Sequence, residues 1–183
     1  MSRGGGRESV QHREELKQDM ALRHIVYEGD EILTKKCRKV ENFDRKLAEL
    51  LKDMKETMIH FQGIGLAGPQ VGMLRRLCVV GPFEDRYYEL VNPEIIKAEG
   101  EQEGYEGCLS VPGYIGCVKR PQSIVVRAQD RKGEEFEYTF EGFPAVAVCH
   151  EIDHLDGIMY TTKAVDIHRP EDRPDEFTNS EEE

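Results

Sequence analysis

Two histidines and a glutamate in the segment AVCHEIDHLDG (residues 147–157) have the spacing of a helical metal site. His150 and His154 lie four residues apart, so on a helix both imidazoles project from one face towards one metal ion. Glu151 follows the first histidine, where a carboxylate can take a proton from a water molecule that the metal activates. Two nitrogen ligands do not complete such a site, because catalytic zinc usually takes three protein ligands. The sequence therefore requires a third ligand.

The chain beyond His154 offers no suitable third ligand. In one zinc-peptidase pattern, H-E-x-x-H-x-x-G-x-x-H, the glycine matches Gly157, but the last histidine falls on Tyr160. A glutamate on a following helix is not expected either, because the sequence after Lys163 is acidic and interrupted by prolines. His168 lies in that acidic stretch, and we do not expect it to bind a metal.

An upstream cysteine is the better candidate for the third ligand. Cys108 lies in EGCLSVPG (residues 106–113), between a glycine and a short apolar stretch, in a predicted loop between strands. A thiolate is a strong ligand for zinc or ferrous iron. A single cysteine is more often a small buried hydrophobe, and we interpret Cys37 and Cys78 in that way.

A second glycine-rich stretch, GIGLAGPQVG (residues 63–72), resembles a phosphate loop only superficially, since no G-K-[ST] follows it. Its glycines would let the backbone come close to an extended ligand. Gln70 could donate an amide N–H to a developing oxyanion. Taken alone, this stretch is only weak evidence for a binding site.

The apolar periodicity predicts two helices around these motifs. FDRKLAELLKDMKETMIHFQG (residues 43–63) reads as a helix that Asp44 caps and Gly63 ends. Its apolar stripe consists of Leu47, Leu50, Leu51, Met54 and Met58. A second helix begins at Pro144, runs to about Leu155 and is closed by Gly157.

Four further segments read as strands: RRLCVVG, YYELVNPEII, CVKRPQSIVVRAQD and EEFEYTFEG. Helices beside several strands predict a single α+β domain in which antiparallel or mixed sheets pack around a central metal-binding helix. We expect residues 1–19 to form a flexible N-terminal extension, residues 20–165 the catalytic domain, and residues 166–183 a solvated acidic tail.

Composition narrows the class of protein. The chain has 183 residues, an odd number of five cysteines and a formal net charge of −11. Reduced cysteines and the lack of an apolar signal-peptide core predict a cytoplasmic protein. No apolar run approaches the roughly 18 residues of a membrane span. The negative charge is untypical of a nucleic-acid surface, where a basic footprint is expected, so we predict no direct nucleic-acid binding and no membrane association.

The three motifs GIGLAGPQ, EGCLS and HEIDH, in this order and at these spacings, resemble the signature motifs of the peptide deformylases. The resemblance runs from about Ile25 to about Lys163. It implies a metal-dependent hydrolase that removes the formyl group from the N-formylmethionine of newly made polypeptides. It also implies one divalent metal ion, with ferrous iron as the physiological ion and zinc, nickel or cobalt as replacements.

The resemblance also assigns roles to residues. The family's metal ligands fall on Cys108, His150 and His154, and its catalytic glutamate falls on Glu151. Its oxyanion donors fall on the Gln70 side chain and the Leu109 backbone N–H. We expect a monomer. The acidic tail lacks the basic C-terminal helix by which some members are thought to dock on ribosomes, so ribosome contact stays open.

The substrate should lie extended along Ile64 and Gly65, adding a strand to a sheet edge. Its methionine side chain needs an apolar pocket beside the metal. The positions four and seven before the first histidine share its helical face and are Val146 and Phe143, and the resemblance adds Ala147. These three residues are equally consistent with a plain apolar core.

Two positions depart from the family pattern. The family usually has alanine where Gly68 stands, and we expect the glycine to loosen the oxyanion loop. It usually has glutamine where Cys149 precedes the first histidine, and the cysteine adds a thiol beside the metal.

Two other functions stay open at this point. A metallopeptidase or other metal amidase would need neither EGCLS nor GIGLAGPQ. A protein with a structural Cys-His-His site, used for partner binding, would normally have a fourth protein ligand, and the sequence offers no evident candidate.

Overall fold

The structure, a computed structural model, describes residues 22–173. Within these residues the chain forms two α-helices, α1 (Arg45–His60) and α2 (Phe143–Leu155). The strands are β1 (Gly65–Ala67), β2 (Leu77–Phe83), β3 (Arg86–Glu99), β4 (Gln102–Cys108), β5 (Val111–Arg120), β6 (Ser123–Gln129), β7 (Glu135–Glu141) and β8 (Val165–His168). No helix in this range is long and apolar enough to cross a bilayer.

The strands form two antiparallel sheets. One sheet has the order β1-β2-β3-β6-β7, and the other has the order β4-β5-β8. Helix α2 contacts β1, β2 and β7 of the first sheet and β5 of the second. The predicted α+β domain with a central helix is therefore confirmed, and the sheets are antiparallel rather than mixed.

Helix α1 begins and ends close to the predicted residues. The Asp44 side chain accepts a hydrogen bond of 2.9 Å from the Leu47 N–H, which satisfies one of the free donors at the helix start. The whole predicted apolar stripe is buried, and it packs against Leu66, Leu77 and Val79 of the larger sheet. This packing holds the segment that follows α1, including β1, against the sheet.

Helix α2 is buried on most of its surface rather than on one stripe. Nine of its residues are buried, among them both histidines and Glu151. Pro144 lies in its first turn, where a missing N–H costs nothing. Gly157 ends the helical region with a φ of +74°, and a Cβ there would lie 2.6 Å from the Thr34 carbonyl oxygen. Only glycine fits this position without strain.

Residues 117–130, predicted as one strand, belong to two strands in different sheets. The break falls at Pro121 and Gln122, between β5 and β6. Proline cannot donate to a ladder, so the chain leaves one sheet here and enters the other. The sequence analysis also missed β1, β4 and β8. Strand β1 has only three residues, and β4 contains two glycines, so neither shows a clear alternating pattern.

The beginning of the acidic segment after Lys163 joins a sheet, although its side chains stay largely exposed. Strand β8 pairs with β5, with His168 opposite Ile115. The Asp166 carboxylate accepts hydrogen bonds from Arg173 and, at 3.1 Å, from the Tyr105 hydroxyl. An ion pair and a hydrogen bond thus accompany the pairing of an acidic stretch that has no apolar stripe. The predictions for residues 1–19 and 174–183 lie outside the described residues, and the domain boundaries stay predictions.

A pair of truncations tests the contribution of β8. A chain ending after Ala164 should unfold at a lower temperature than a chain ending after Arg173, because only the first loses the β5–β8 ladder. We expect the free energy of unfolding to differ by roughly 1–3 kcal/mol. Urea unfolding of both truncated proteins measures the difference. Equal midpoints would show that β8 does not stabilise the domain.

Candidate active site

A groove of about 580 Å³ opens between β1, at the edge of the larger sheet, and the β4–β5 hairpin, with the start of α2 at one wall. Nearly all of the predicted site residues line it: Ile64, Gly65, Gln70, Cys108, Leu109, Phe143, Val146, Ala147, His150 and Glu151. The exception is His154, which is fully buried behind the groove. Three motifs that are distant in sequence therefore meet in one cavity.

Three potential metal ligands converge at the base of this groove. The donor atoms of Cys108, His150 and His154 all lie within 4.8 Å of one another. The two histidine Nε2 atoms are 3.2 Å apart, and the Cys108 Sγ lies 3.4 Å from the His154 Nε2. Tetrahedral zinc with ordinary Zn–S and Zn–N bonds separates such atoms by about 3.3–3.6 Å. The donor set therefore fits one divalent metal ion.

Local structure explains the convergence. The two histidines lie one turn apart on α2, so both rings leave the same face of the helix. Cys108 is the last residue of β4, directly before the turn into β5. Glu106 precedes it by two positions, and alternate residues of a strand face the same side. The hairpin thus directs one thiol and one carboxylate towards the helix.

A buried ionic network fixes the first histidine. The Nδ1 atom of His150 lies 2.8 Å from the Glu106 carboxylate. Arg120 donates two hydrogen bonds to Glu106, of 2.7 and 2.9 Å, and one of 2.6 Å to Asp153. Burial alone would raise the pKa of Glu106, but the hydrogen bonds from Arg120 and His150 outweigh it and lower the pKa. Glu106 therefore stays ionised and orients the imidazole, as carboxylates commonly do for metal-binding histidines.

Glu106, Arg120 and Asp153 were not predicted from the sequence. Two of them stand inside the motifs already singled out, since Glu106 opens EGCLS and Asp153 lies within HEIDH. The strand alternation of Glu106 with Cys108 was the available signal. Arg120 carries no local signal, because its role depends on the register of the β4–β5 hairpin.

The two histidines differ electrostatically. Burial lowers the pKa of His154 well below its usual value, and the neighbouring His150 lowers it further, so His154 offers the neutral ring that coordinates metals. Burial also acts to lower the pKa of His150, but its hydrogen bonds with Cys108 and Glu106 raise it to about 10. A metal ion that binds the His150 ring would have to displace the proton on its nitrogen. Metal uptake would therefore release protons.

Glu151 lies buried between the histidines and β1. Its Oε2 atom has no hydrogen-bond partner within the described residues. Burial raises its pKa to about 7, although the nearby His150 acts in the opposite direction. A Cβ added at Gly65 would overlap a carboxylate oxygen of Glu151 and lie 2.6 Å from its Cδ. Because Gly65 has no side chain, the Glu151 carboxylate can occupy this space.

Gln70 is held with its amide nitrogen towards the thiol. Its Oε1 atom accepts a hydrogen bond of 2.9 Å from the Ala67 N–H. Its Nε2 atom donates to the Ser110 hydroxyl at 3.2 Å and to the Cys108 Sγ at 3.4 Å. Because the oxygen has a fixed partner, the amide cannot easily turn over. The donor end of Gln70 therefore points into the site.

The two departures from the family pattern are both closely packed. A Cβ at Gly68 would lie 2.6 Å from the Arg75 carbonyl oxygen and 2.7 Å from that of Met73. The expectation that Gly68 loosens the loop is therefore not supported, because this glycine allows a close approach of two backbone segments. Cys149 is buried in the main core, and burial raises the pKa of its thiol to about 11, so it is unreactive.

Comparisons with known proteins agree with this fold and site. Residues 22–170 match the family described as polypeptide deformylase. A peptide deformylase from Caldicellulosiruptor bescii is 56% identical over 146 residues, which cover 80% of this chain and 87% of the relative. One from Heliobacterium modesticaldum is 50% identical over 153 residues, 84% of this chain and all of the relative.

Solved structures give the same result. The crystal structure of a peptide deformylase from Legionella pneumophila has a TM-score of 0.77 and 42% identity, and the match covers 80% of this chain and 88% of that one. The enzyme from Thermotoga maritima has a TM-score of 0.76 and 34% identity, over 79% of this chain and 99% of that one.

A groove with a metal-type donor set beside a buried carboxylate is typical of metal-dependent hydrolases. The chain belongs to the polypeptide deformylase family. It is therefore an enzyme of protein biosynthesis that removes the N-formyl group from newly made polypeptides, and its family implies a divalent metal ion. The resemblance seen in the three motifs is confirmed.

The close approach of Gly65 and Glu151 yields a prediction. Replacing Gly65 by alanine should displace the Glu151 carboxylate, and a misplacement of about 1 Å can lower the rate by about 100-fold. Bound metal should stay near the wild-type amount, because no ligand moves. Steady-state kinetics and elemental analysis measure both quantities.

Gly104 provides the control, because a Cβ there would meet nothing within 4 Å. Gly104→Ala, in strand β4 of the smaller sheet, should keep wild-type activity. If Gly65→Ala were as active as Gly104→Ala, the contact with Glu151 would have no part in positioning it.

Proposed function

We propose that this deformylase holds one divalent metal ion through Cys108, His150 and His154, and uses Glu151 to move the protons of formamide hydrolysis. We further propose ferrous iron as the physiological ion, with zinc, nickel or cobalt as replacements. One thiolate and two imidazoles suit both iron and zinc, which supports this choice. The observation that carries the proposal is the buried Glu151 carboxylate, which has an oxygen without a partner among the described residues, beside three converging donors.

The proton transfers follow from the position of Glu151. When bound, the metal would act as a Lewis acid and would lower the pKa of a water molecule towards about 7. Glu151 accepts a proton as the oxygen nucleophile attacks the formyl carbon, and then delivers it to the leaving amine. The same carboxyl group is thus a base in the first step and an acid in the second.

Gln70 and Leu109 are proposed to stabilise the oxyanion. The amide nitrogen of Gln70 faces the thiol, and Leu109 follows Cys108 in the turn of the hairpin. A side-chain N–H and a backbone N–H that both point at the carbonyl oxygen would receive the developing negative charge. Loss of one such donor typically costs about 100- to 1,000-fold in rate.

The substrate backbone is proposed to extend along Ile64 and Gly65. Strand β1 is at the edge of its sheet, so an extended peptide can add to it. The methionine side chain would pack against the apolar wall of the groove, which consists of Phe143, Val146 and Ala147. All three line the groove, and the exposure of Phe143 is 59% in the free protein, which leaves its ring available to a ligand.

We also propose that the enzyme is a cytoplasmic monomer that acts on nascent chains, with residues 20–165 as its catalytic domain, residues 1–19 as a flexible extension and residues 166–183 as an acidic tail. Residues 166–183 are rich in aspartate and glutamate, so this segment would not supply a basic surface for contact with the ribosome.

Formate release from formyl-Met-Ala-Ser tests the proposed function. The metal-loaded protein should release formate, a chelator should stop the reaction, and added ferrous ion should restore it. Cleavage of an internal peptide bond instead would favour a metallopeptidase. Metal binding without any hydrolysis would favour a structural metal site.

The variant Glu151→Ala tests the role of Glu151 as a base while all three proposed metal ligands remain. The variant should keep its metal but lose activity by about 100- to 10,000-fold, because general acid–base catalysis contributes that much. Formate release and metal content are measured on the same sample. Near-normal turnover with bound metal would refute the role of Glu151.

Two cysteine variants test the third ligand. Cys108→Ala should lose tight metal binding, because two imidazoles remain. Cys149→Ala should keep one metal ion per chain, because that thiol lies in the core. Elemental analysis after dialysis compares them. A Cys108→Ala protein with stoichiometric metal and normal deformylation would rule out the proposed ligand set.

A further inference from the structure

Tyr160 lies against the first histidine of the proposed metal site. Its ring stacks on the His150 imidazole, with ring centroids 5.7 Å apart and an angle of 29° between the ring planes. Two aromatic rings attract each other at this separation when they are offset. Tyr160 is 1% exposed and is not among the residues that line the groove. Its ring is therefore placed to act on the imidazole and not on a ligand in the groove.

The Tyr160 ring is itself fixed by its surroundings. Its hydroxyl donates a hydrogen bond of 3.1 Å to the carbonyl oxygen of Tyr114 in β5. The ring also belongs to a buried apolar cluster that includes Leu33. A Cβ at Gly116 would lie 3.4 Å from Cε2 of Tyr160 and 2.7 Å from the Ala164 Cβ. This glycine of β5 therefore lets the turn that carries Tyr160 approach the strand.

The contact with Glu106 does not determine the orientation of the imidazole completely. Glu106 meets His150 at one atom, Nδ1, at a distance of 2.8 Å. A single hydrogen bond fixes that edge of the ring, but its broad angular preference permits the ring plane to tilt. A metal ion would bind the Nε2 lone pair, which lies in the ring plane, so a tilt would turn the lone pair away from the ion. A fixed ring against the imidazole face opposes this tilt.

The same tyrosine links the helix to the hairpin at a second place. The Tyr114 carbonyl group belongs to β5, and β5 pairs with β4, whose last residue is Cys108. Through Tyr160, the His150 ring is thus connected to the hairpin that carries the thiol. The hydroxyl is essential to this link, because phenylalanine would keep the stacked ring and lose the hydrogen bond.

We propose that Tyr160 is a positioning residue of the metal centre, which holds the plane of the His150 imidazole relative to the Cys108 thiol and thereby strengthens metal binding. Replacing a residue that orients a metal-binding side chain commonly weakens metal affinity by about 10- to 100-fold. The inference rests on the proposed function, since it assumes the ligands Cys108, His150 and His154.

Cobalt binding tests this role, because the visible absorption of Co²⁺ depends on ligand geometry and the near-ultraviolet thiolate-to-Co²⁺ band reports the bound sulfur. Competition with a chelator gives the dissociation constant, at a temperature at which the metal-free form of every variant stays folded. Tyr160→Phe should weaken Co²⁺ binding by about 2- to 10-fold, the range for one lost hydrogen bond. Tyr160→Leu should weaken it by about 10- to 100-fold and change the visible spectrum, because the stacked ring is gone.

Leu33→Ala is the matched control. Leu33 is 1% exposed, belongs to the same apolar cluster as Tyr160 and does not line the groove. Its truncation should lower the melting temperature of the metal-free protein, because it leaves a cavity. The Co²⁺ dissociation constant and spectrum should stay those of the wild type. A merely structural role of Tyr160 would give the same result for Tyr160→Leu.

The outcomes are distinguishable. A Tyr160→Leu protein with the cobalt affinity and spectrum of the wild type would overturn the inference and leave the ligand set intact. Equal losses of affinity in Leu33→Ala and Tyr160→Leu would also overturn it. If Tyr160→Leu did not fold, an unchanged dissociation constant in Tyr160→Phe would have the same meaning. A wild-type protein that binds Co²⁺ without the thiolate band would contradict the proposed ligand set, and the inference with it.

Discussion

The buried ion pair between Arg120 and Glu106 joins the parts of the molecule that form the site. Both side chains are only 4% exposed, and they lie on neighbouring strands of the smaller sheet. From there they reach α2, through Asp153 on one side and His150 on the other. Removing one partner of such a pair typically costs about 3–5 kcal/mol, because the other charge stays buried without compensation. The position of the hairpin relative to the helix depends on this network.

The network also explains how an apolar helix carries one of its buried ionisable groups, His150. Helix α2 buries two histidines and a glutamate, and each would destabilise the fold without a partner. His150 is paired with Glu106, whereas the Nδ1 atom of His154 and the Oε2 atom of Glu151 have no partner among the described residues. Unsatisfied polar atoms are rare in protein interiors and concentrate at functional sites. These two atoms belong to residues at the site, whereas the unpaired Oε2 atom of Glu56 lies on α1.

The local features of the fold and the site could be predicted from the sequence. The helical spacing of His150 and His154 predicted a common face. The lack of a downstream ligand pointed upstream, where the residues next to Cys108 and the family resemblance favoured this cysteine. The two helices and the α+β class are confirmed. The pairing of Arg120 with Glu106 could not be predicted, because it joins residues 14 positions apart through a hairpin register that no local pattern reveals. The same limit applies to β8, because no local pattern reveals that it pairs with β5, where His168 lies opposite Ile115.

X-ray absorption spectroscopy of the protein loaded with one equivalent of zinc tests whether the hairpin and the helix jointly supply one sulfur and two nitrogen ligands. We expect one sulfur at about 2.3 Å and two imidazole nitrogens at about 2.0–2.1 Å, with an oxygen completing the shell. The sulfur should disappear in Cys108→Ser and persist in Cys149→Ser. A shell without sulfur, or a sulfur that persists in Cys108→Ser, would rule out this ligand set.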